Sequence, residues 1–189
     1  MKNLAIFASG TGSNAKKIIE YFRENANINV RLIVSNKKDA PVLEIARLNG
    51  IETLVIDRTE FYKTEDLLQQ LHAHSIHFIV LAGFLWLLPH YLLHAYDRRI
   101  VNIHPALLPK YGGKGMYGMR VHEAVKAAGD LESGITIHYA DENYDEGDII
   151  FQKKCVLSPD DTPEKIADKV HALEHQYFAK VIEEIVENG

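Results

Sequence analysis

Asn102 and His104 stand two residues apart in Arg99-Ile100-Val101-Asn102-Ile103-His104-Pro105, a run that reads as a buried strand stopped by a proline. That spacing puts both polar side chains on one side of a strand and turns Ile103 to the other. A carboxamide donor beside an imidazole can stabilise an oxyanion and move a proton near neutral pH. The same two residues also describe a hydrogen-bonded core histidine with a polar neighbour, and the local sequence leaves both readings open. A second segment equipped for chemistry is Ser9-Gly10-Thr11-Gly12-Ser13-Asn14-Ala15, directly after an apolar run and at the start of a helix-like one. Glycines let backbone approach a ligand closely, and the free amides of a helix start carry partial positive charge. The turn is therefore an anion site, most naturally for a phosphate, with Ser13 and Asn14 adding side-chain hydrogen bonds. The alternative is a tight strand–helix turn that binds nothing.

Gly10, Gly12 and Ala15 also satisfy the dinucleotide fingerprint. That motif wants an acid at the end of the second strand to hold ribose hydroxyls. Here Asn36, Lys37 and Lys38 occupy the place, so an NADP-dependent oxidoreductase stays open as an alternative. The acidic cluster Asp141, Glu142, Asn143, Asp145, Glu146 and Asp148 reads on its own as a solvated hairpin loop. His72, His74 and His77 crowd one helix end without an evident carboxylate partner, so no metal is expected. His138 alternates with core positions and reads as structural, and Cys155 reads as a small buried apolar group. His122 and Glu123 open a helix near a glycine-rich loop, with the role of His122 unassigned.

Positioning these residues requires a scaffold, and the scaffold shows as alternation. Apolar, β-branched runs at Leu4–Ala8, Val30–Val34, Thr53–Ile56, Phe78–Leu81 and Ile100–Ile103 are separated by helix-like segments at Asn14–Glu24, Pro41–Asn49, Glu60–Ala73 and Pro89–Ala95. Strands apolar throughout, spaced by helices, predict an α/β fold: an open, mostly parallel twisted sheet with helices on both faces and ligands at the strands' C-terminal edge. After Ala128 the pattern shifts to two strands, Gly134–Tyr139 and Asp148–Val156, predicting an antiparallel addition. A long C-terminal helix follows, capped by Thr162 with Pro163 in its first turn, and Ile166, Val170, Leu173, Tyr177, Val181 and Ile185 form its apolar stripe.

The chain has 189 residues, 47% of them apolar, with 21 basic and 26 acidic side chains and a net charge of −5. These values fit one domain over 1–189 with a sizeable core and no basic footprint for nucleic acid. The longest apolar run, Phe78–Leu88, is short of the roughly 20 residues a bilayer span needs, and Leu4–Ala8 is too short for a signal-peptide core. A single cysteine fits a reducing cytoplasm, the expected location.

Taken together, the segments resemble the folate-dependent formyltransferases, and among them the branch acting on phosphoribosylglycinamide. Three stretches carry the likeness: Ser9-Gly10-Thr11-Gly12-Ser13-Asn14; Leu81-Ala82-Gly83-Phe84 with Asn102-Ile103-His104-Pro105-Ala106-Leu107-Leu108-Pro109; and Gly134-Ile135-Thr136-Ile137-His138-Tyr139 running on through Asp141, Asp145 and Gly147. They occur in the family's order and cover nearly the whole chain. The resemblance implies formyl transfer from 10-formyltetrahydrofolate, a co-substrate, to the amine of 5-phosphoribosylglycinamide, without a metal. By the same likeness Asn102, His104 and Asp145 are catalytic, Asp145 pairing with His104. Gly12, Ser13 and Asn14 would hold the substrate phosphate, and Glu174 the ribose and glycinamide. Leu85, Trp86, Leu87 and Leu88, with Asn102, Asp141 and Asp145, would hold the folate.

Two positions depart from the family's pattern. Trp86 stands where many members carry a basic residue, leaving Lys63 or Lys114 as candidates for the folate tail. The loop Tyr111–Gly118 is unusually rich in glycine, which predicts a segment able to act as a lid. The likeness alone also admits formyltetrahydrofolate deformylase and methionyl-tRNA formyltransferase. A chain starting at its first strand, ending at Gly189 and carrying negative charge argues against both. The expected partners are small molecules, neither nucleic acid nor membrane, and the expected assembly is a monomer or homodimer.

Overall fold

The computed structural model describes residues 1–188. Seven strands form one sheet: β1 (Lys2–Phe7), β2 (Ile28–Ser35), β3 (Glu52–Val55), β4 (Ile76–Leu81), β5 (Ile100–His104), β6 (Glu132–Tyr139) and β7 (Ile149–Val156). Their order across the sheet is β3-β2-β1-β4-β5-β6-β7. Pairs among β1 to β5 are parallel, whereas β6 runs antiparallel to both β5 and β7. This is the expected open, mostly parallel sheet with an antiparallel addition.

The helices are α1 (Ser13–Phe22), α2 (Pro41–Leu48), α3 (Arg58–Lys63), α4 (Asp66–Ala73), α5 (His90–Ala95), α6 (Met119–Ala128) and α7 (Pro163–Asn188). Alternation along β1 shows how they share two faces. Leu4 and Ile6 join the core cluster of α1, α2, α6 and α7, while Ala5 and Phe7 join the one built by α3, α4 and α5. A strand buried on both sides has no polar face to offer, which is why these runs read as continuously apolar.

Three expectations need correction. The single helix expected over Glu60–Ala73 is two, because Thr64 turns extended at φ −127° and ψ 168° and its hydroxyl accepts from the Asp66 N–H at 3.3 Å. A threonine that can hydrogen-bond nearby backbone competes with the helix and restarts it. The helix holding His122 begins earlier, at Met119. The buried stripe of α7 runs Ile166, Val170, Glu174, Phe178, Ile182 and Val186, whereas Leu173, Tyr177 and Ile185 are only partly buried. A carboxylate in the middle of that stripe had made the neighbouring row look like the more apolar face.

The strand order reverses between β1 and β4, leaving a crevice beyond their C-terminal ends where open α/β sheets bind ligands. The glycine-rich turn after β1 and the Ala82–Leu88 segment after β4 form its two sides. Ser9, buried, ties them together: its N–H donates to the Gly83 carbonyl at 3.0 Å and its hydroxyl accepts from the Leu85 N–H at 3.1 Å.

Candidate active site

A cleft of about 720 Å³ opens at this switch point, within the usual range of small-molecule sites. Its lining includes the turn Ser9–Asn14, the segment Leu81–Leu88, Asn102, His104, Asp141, Asp145 and Glu174. The residues expected above for catalysis, for phosphoribosylglycinamide and for the pterin therefore border one cavity. Lys114 does too, whereas Lys63 does not.

The central triad is assembled by pairing rather than by proximity in the chain. β5 carries Asn102 and His104 to the sheet's C-terminal edge, and β6, running antiparallel, sets His138 opposite Asn102 and Thr136 opposite His104. The following loop brings Asp145 back over them with φ +61°, a left-handed conformation that aspartate tolerates better than most residues. Asp145 Oδ2 lies 3.4 Å from His104 Nδ1, and its Oδ1 lies 3.4 Å from Asn102 Nδ2 and 3.6 Å from His138 Nε2. Burial alone would push this carboxyl up. The His104 ring facing it and the Gly113 N–H, which donates to Oδ2 at 3.0 Å, overrule that and hold it well below the ordinary carboxylate range. Asp145 is thus a half-buried anion aimed at an imidazole.

His104 is 3% exposed, and its Nε2 faces the Tyr111 carbonyl at 2.8 Å. Both ring nitrogens therefore look at oxygen atoms. His138 holds Asn102 in place: with Nδ1–H given to the Tyr139 carbonyl at 2.9 Å, Nε2 is left to accept from the Asn102 amide at 3.0 Å. The expectation that His138 is merely structural is incomplete, because it orients a catalytic candidate. Strand register supplied that contact, and a single sequence does not print register. Thr136 performs a similar service for the segment after His104: its hydroxyl donates to the Ala106 carbonyl at 2.7 Å and accepts from the Leu108 N–H at 3.0 Å.

At the other end, Gly12 caps α1 in a left-handed conformation, φ +77°, with no side-chain cap, so the helix's first amides are free for a ligand. A Cβ at Gly12 would stand 2.6 Å from Val42 Cγ2, so both the conformation and the space demand glycine. Asn14 Nδ2 donates to Glu174 Oε2 at 2.9 Å across the cleft floor. Burial pushes the Glu174 carboxyl up, against the Asn14 hydrogen bond and the His171 and His104 charges that pull it down. The loop expected to be a lid is hooked to the triad at its near end through Tyr111 and Gly113.

The remaining histidines separate. His74 has a carboxylate partner after all, Glu52 Oε2 at 3.0 Å, while His77 Nδ1 accepts from the Asn3 N–H at 3.0 Å. His175 is exposed and stacked on His171. Among the described residues no group of three His, Cys, Asp or Glu could hold a metal. Cys155 is only partly buried, on the edge strand β7.

The model of the formyl transferase family matches residues 2–182. The chain belongs to the formyl transferase family. Among relatives of this formyl transferase, the phosphoribosylglycinamide formyltransferase of Bacillus subtilis is 36% identical over 98% of this chain and 95% of its own. The chloroplastic phosphoribosylglycinamide formyltransferase of Arabidopsis thaliana is 43% identical over 98% of this chain, which spans 66% of that protein's length. The solved phosphoribosylglycinamide formyltransferase from Bacillus halodurans superposes with a TM-score of 0.87 at 35% identity, covering 98% of this chain and 95% of that one. With a formyl transferase fold in place, the glycine turn no longer argues for an oxidoreductase. No helix among the described residues is long and apolar enough to cross a membrane.

Proposed function

We propose that this formyl transferase moves the formyl group of 10-formyltetrahydrofolate to the amine of 5-phosphoribosylglycinamide, releasing tetrahydrofolate, as a step of purine (IMP) synthesis. One observation carries the reading: Asn102, His104 and Asp145 converge in a cleft whose far end is a glycine-capped helix start beside Glu174. Relatives named for this activity support the choice of acceptor. Residues 1–189 act as one formyltransferase domain.

In this reading the phosphate sits on the amides of Gly12, Ser13 and Asn14, and Glu174 takes the ribose. Trp86 and the leucines at 85, 87 and 88 give the reduced pterin an apolar wall. Backbone groups there and the Asp141–Asp145 loop supply edge-on hydrogen bonds. The acceptor nitrogen attacks the formyl carbon, forming a C–N bond and a tetrahedral oxyanion that Asn102 and His104 stabilise. The amine's proton passes by way of His104, with Asp145 steadying the imidazolium, to the leaving folate nitrogen, whose bond to carbon then breaks. No atom changes oxidation state. The work is positioning, charge stabilisation and proton transfer.

The test is to mix purified protein with both substrates and follow absorbance of the deformylated folate, with and without the acceptor. Acceptor-dependent turnover is expected. Equal loss of formyl to water without acceptor would instead describe a deformylase, and no transfer by folded protein would end the proposal.

A further inference from the structure

His122 is a buried imidazole that the mechanism above does not use. It sits in the first turns of α6, 2% exposed, and it borders the cleft. Its Nδ1 is walled off with no hydrogen-bond partner, one of few buried side-chain polar atoms in that condition. A buried N–H left unpaired is costly, so the ring hydrogen does not belong on this nitrogen. The ring also has histidines of the site for neighbours. Its centroid is 6.3 Å from that of His171, edge to face, and His171 Nε2 is 3.9 Å from Glu174 Oε2. The charge of His104 is also close enough to be felt.

We propose that His122 reads the glycinamide arm of the acceptor, giving its Nε2–H to the arm's amide carbonyl. This deepens the proposed function and rests on its choice of acceptor. With phosphate on the Gly12 turn and ribose at Glu174, the arm reaches for His104 within the cleft that His122 borders. Since Nδ1 is closed in, Nε2 is the ring nitrogen left to meet the cleft. A neutral imidazole has one donor and one acceptor, and placing the hydrogen on Nε2 avoids stranding a buried N–H at Nδ1. Burial, then the neighbouring His171 and His104 charges, push this histidine down to about 4, so it stays neutral at physiological pH. A neutral donor fits a carbonyl oxygen and adds no positive charge beside an amine that must react unprotonated.

The experiment is binding of phosphoribosylglycinamide alone by calorimetry, alongside steady-state constants for both substrates, in wild type, His122→Gln and His122→Ala. Glutamine can place an N–H near the Nε2 position, whereas alanine cannot. We expect His122→Ala to weaken acceptor binding and raise its KM roughly tenfold with the donor KM unchanged, and His122→Gln to recover most of it. Unchanged acceptor binding in His122→Ala, no recovery with glutamine, or equal loss for both substrates overturns the proposal. Should His122→Ala misfold, the imidazole NMR signals of wild type decide: they must shift on adding acceptor and not on adding donor alone. Wild type that binds no phosphoribosylglycinamide would fail the proposed function itself, a different result from wild type that binds and an alanine variant that binds as well.

Discussion

Asp145 carries the sharpest consequences at the scale of single residues. Loss of one group that stabilises a developing oxyanion costs about 2.7–4 kcal/mol in comparable enzymes, roughly 10²- to 10³-fold in turnover. Asn102→Ala and Asp145→Asn are each expected to fall by about that factor while circular-dichroism melting keeps a cooperative transition. A fall of less than a few-fold would remove either residue from the chemistry. Asp145 also links the site to stability. Its folded carboxyl is held below the ordinary value of about 3.9 by its buried partners, so the unfolded chain binds more protons as the solution is acidified. That contribution is complete above the unfolded value and is lost as pH falls below it. Urea midpoints measured from pH 6 down to pH 3 should therefore drop less steeply in Asp145→Asn than in wild type, and parallel curves would contradict the pairing. Asn102, His104 and the glycine turn were legible because their types and spacing announce chemistry. The pairing of Asp145 with His104 came only through resemblance, since 41 positions separate them in an order no periodicity connects.

At the scale of elements, α7 shows how function overrides pattern. Its buried row is apolar except for Glu174, 5% exposed, whose carboxyl burial pushes up. The native state then holds a proton more readily than the unfolded chain, so this group makes the protein less stable as pH rises through that interval. Glu174→Gln keeps an oxygen for Asn14 and removes the buried charge. It should raise the melting temperature of the ligand-free protein at pH 7.5 by about 2–4 °C, the shift that about 1 kcal/mol gives in a domain of this size. The same variant should raise the acceptor KM. A lower melting temperature would mean that the charge stabilises the fold. The stripe could not be placed by composition, because one carboxylate tilted the apparent apolar face by a residue. The break at Thr64 was hidden for a similar reason: a local hydroxyl contact, invisible to hydrophobic period, ended one helix and began another. Register hid most. His138 meets Asn102 only because β6 pairs antiparallel with β5 at one offset out of several the two strands could adopt.

For the molecule as a whole, alternation of apolar strands and helices was enough to set the architecture, and the reversal of strand order between β1 and β4 set the location of the cleft. Trp86 is the chain's one tryptophan and lines that cleft, so its emission reports on the folate wall. Titration with a non-transferable reduced folate should change it saturably, and phosphoribosylglycinamide alone should change it far less. The reverse preference would exchange the two ends of the site. The central claim is that Asn102, His104 and Asp145 form the reacting centre between two ligand ends that still bind when His104 is removed. Rapid-quench transfer of a labelled formyl group in a single turnover tests this directly, using wild type and His104→Ala, each at substrate concentrations shown by separate titration to saturate. The account predicts label on the acceptor nitrogen within one turnover of wild type, and transfer slowed at least a hundredfold in His104→Ala although both ligands remain bound. Label transferred at the wild-type rate by that variant would contradict it.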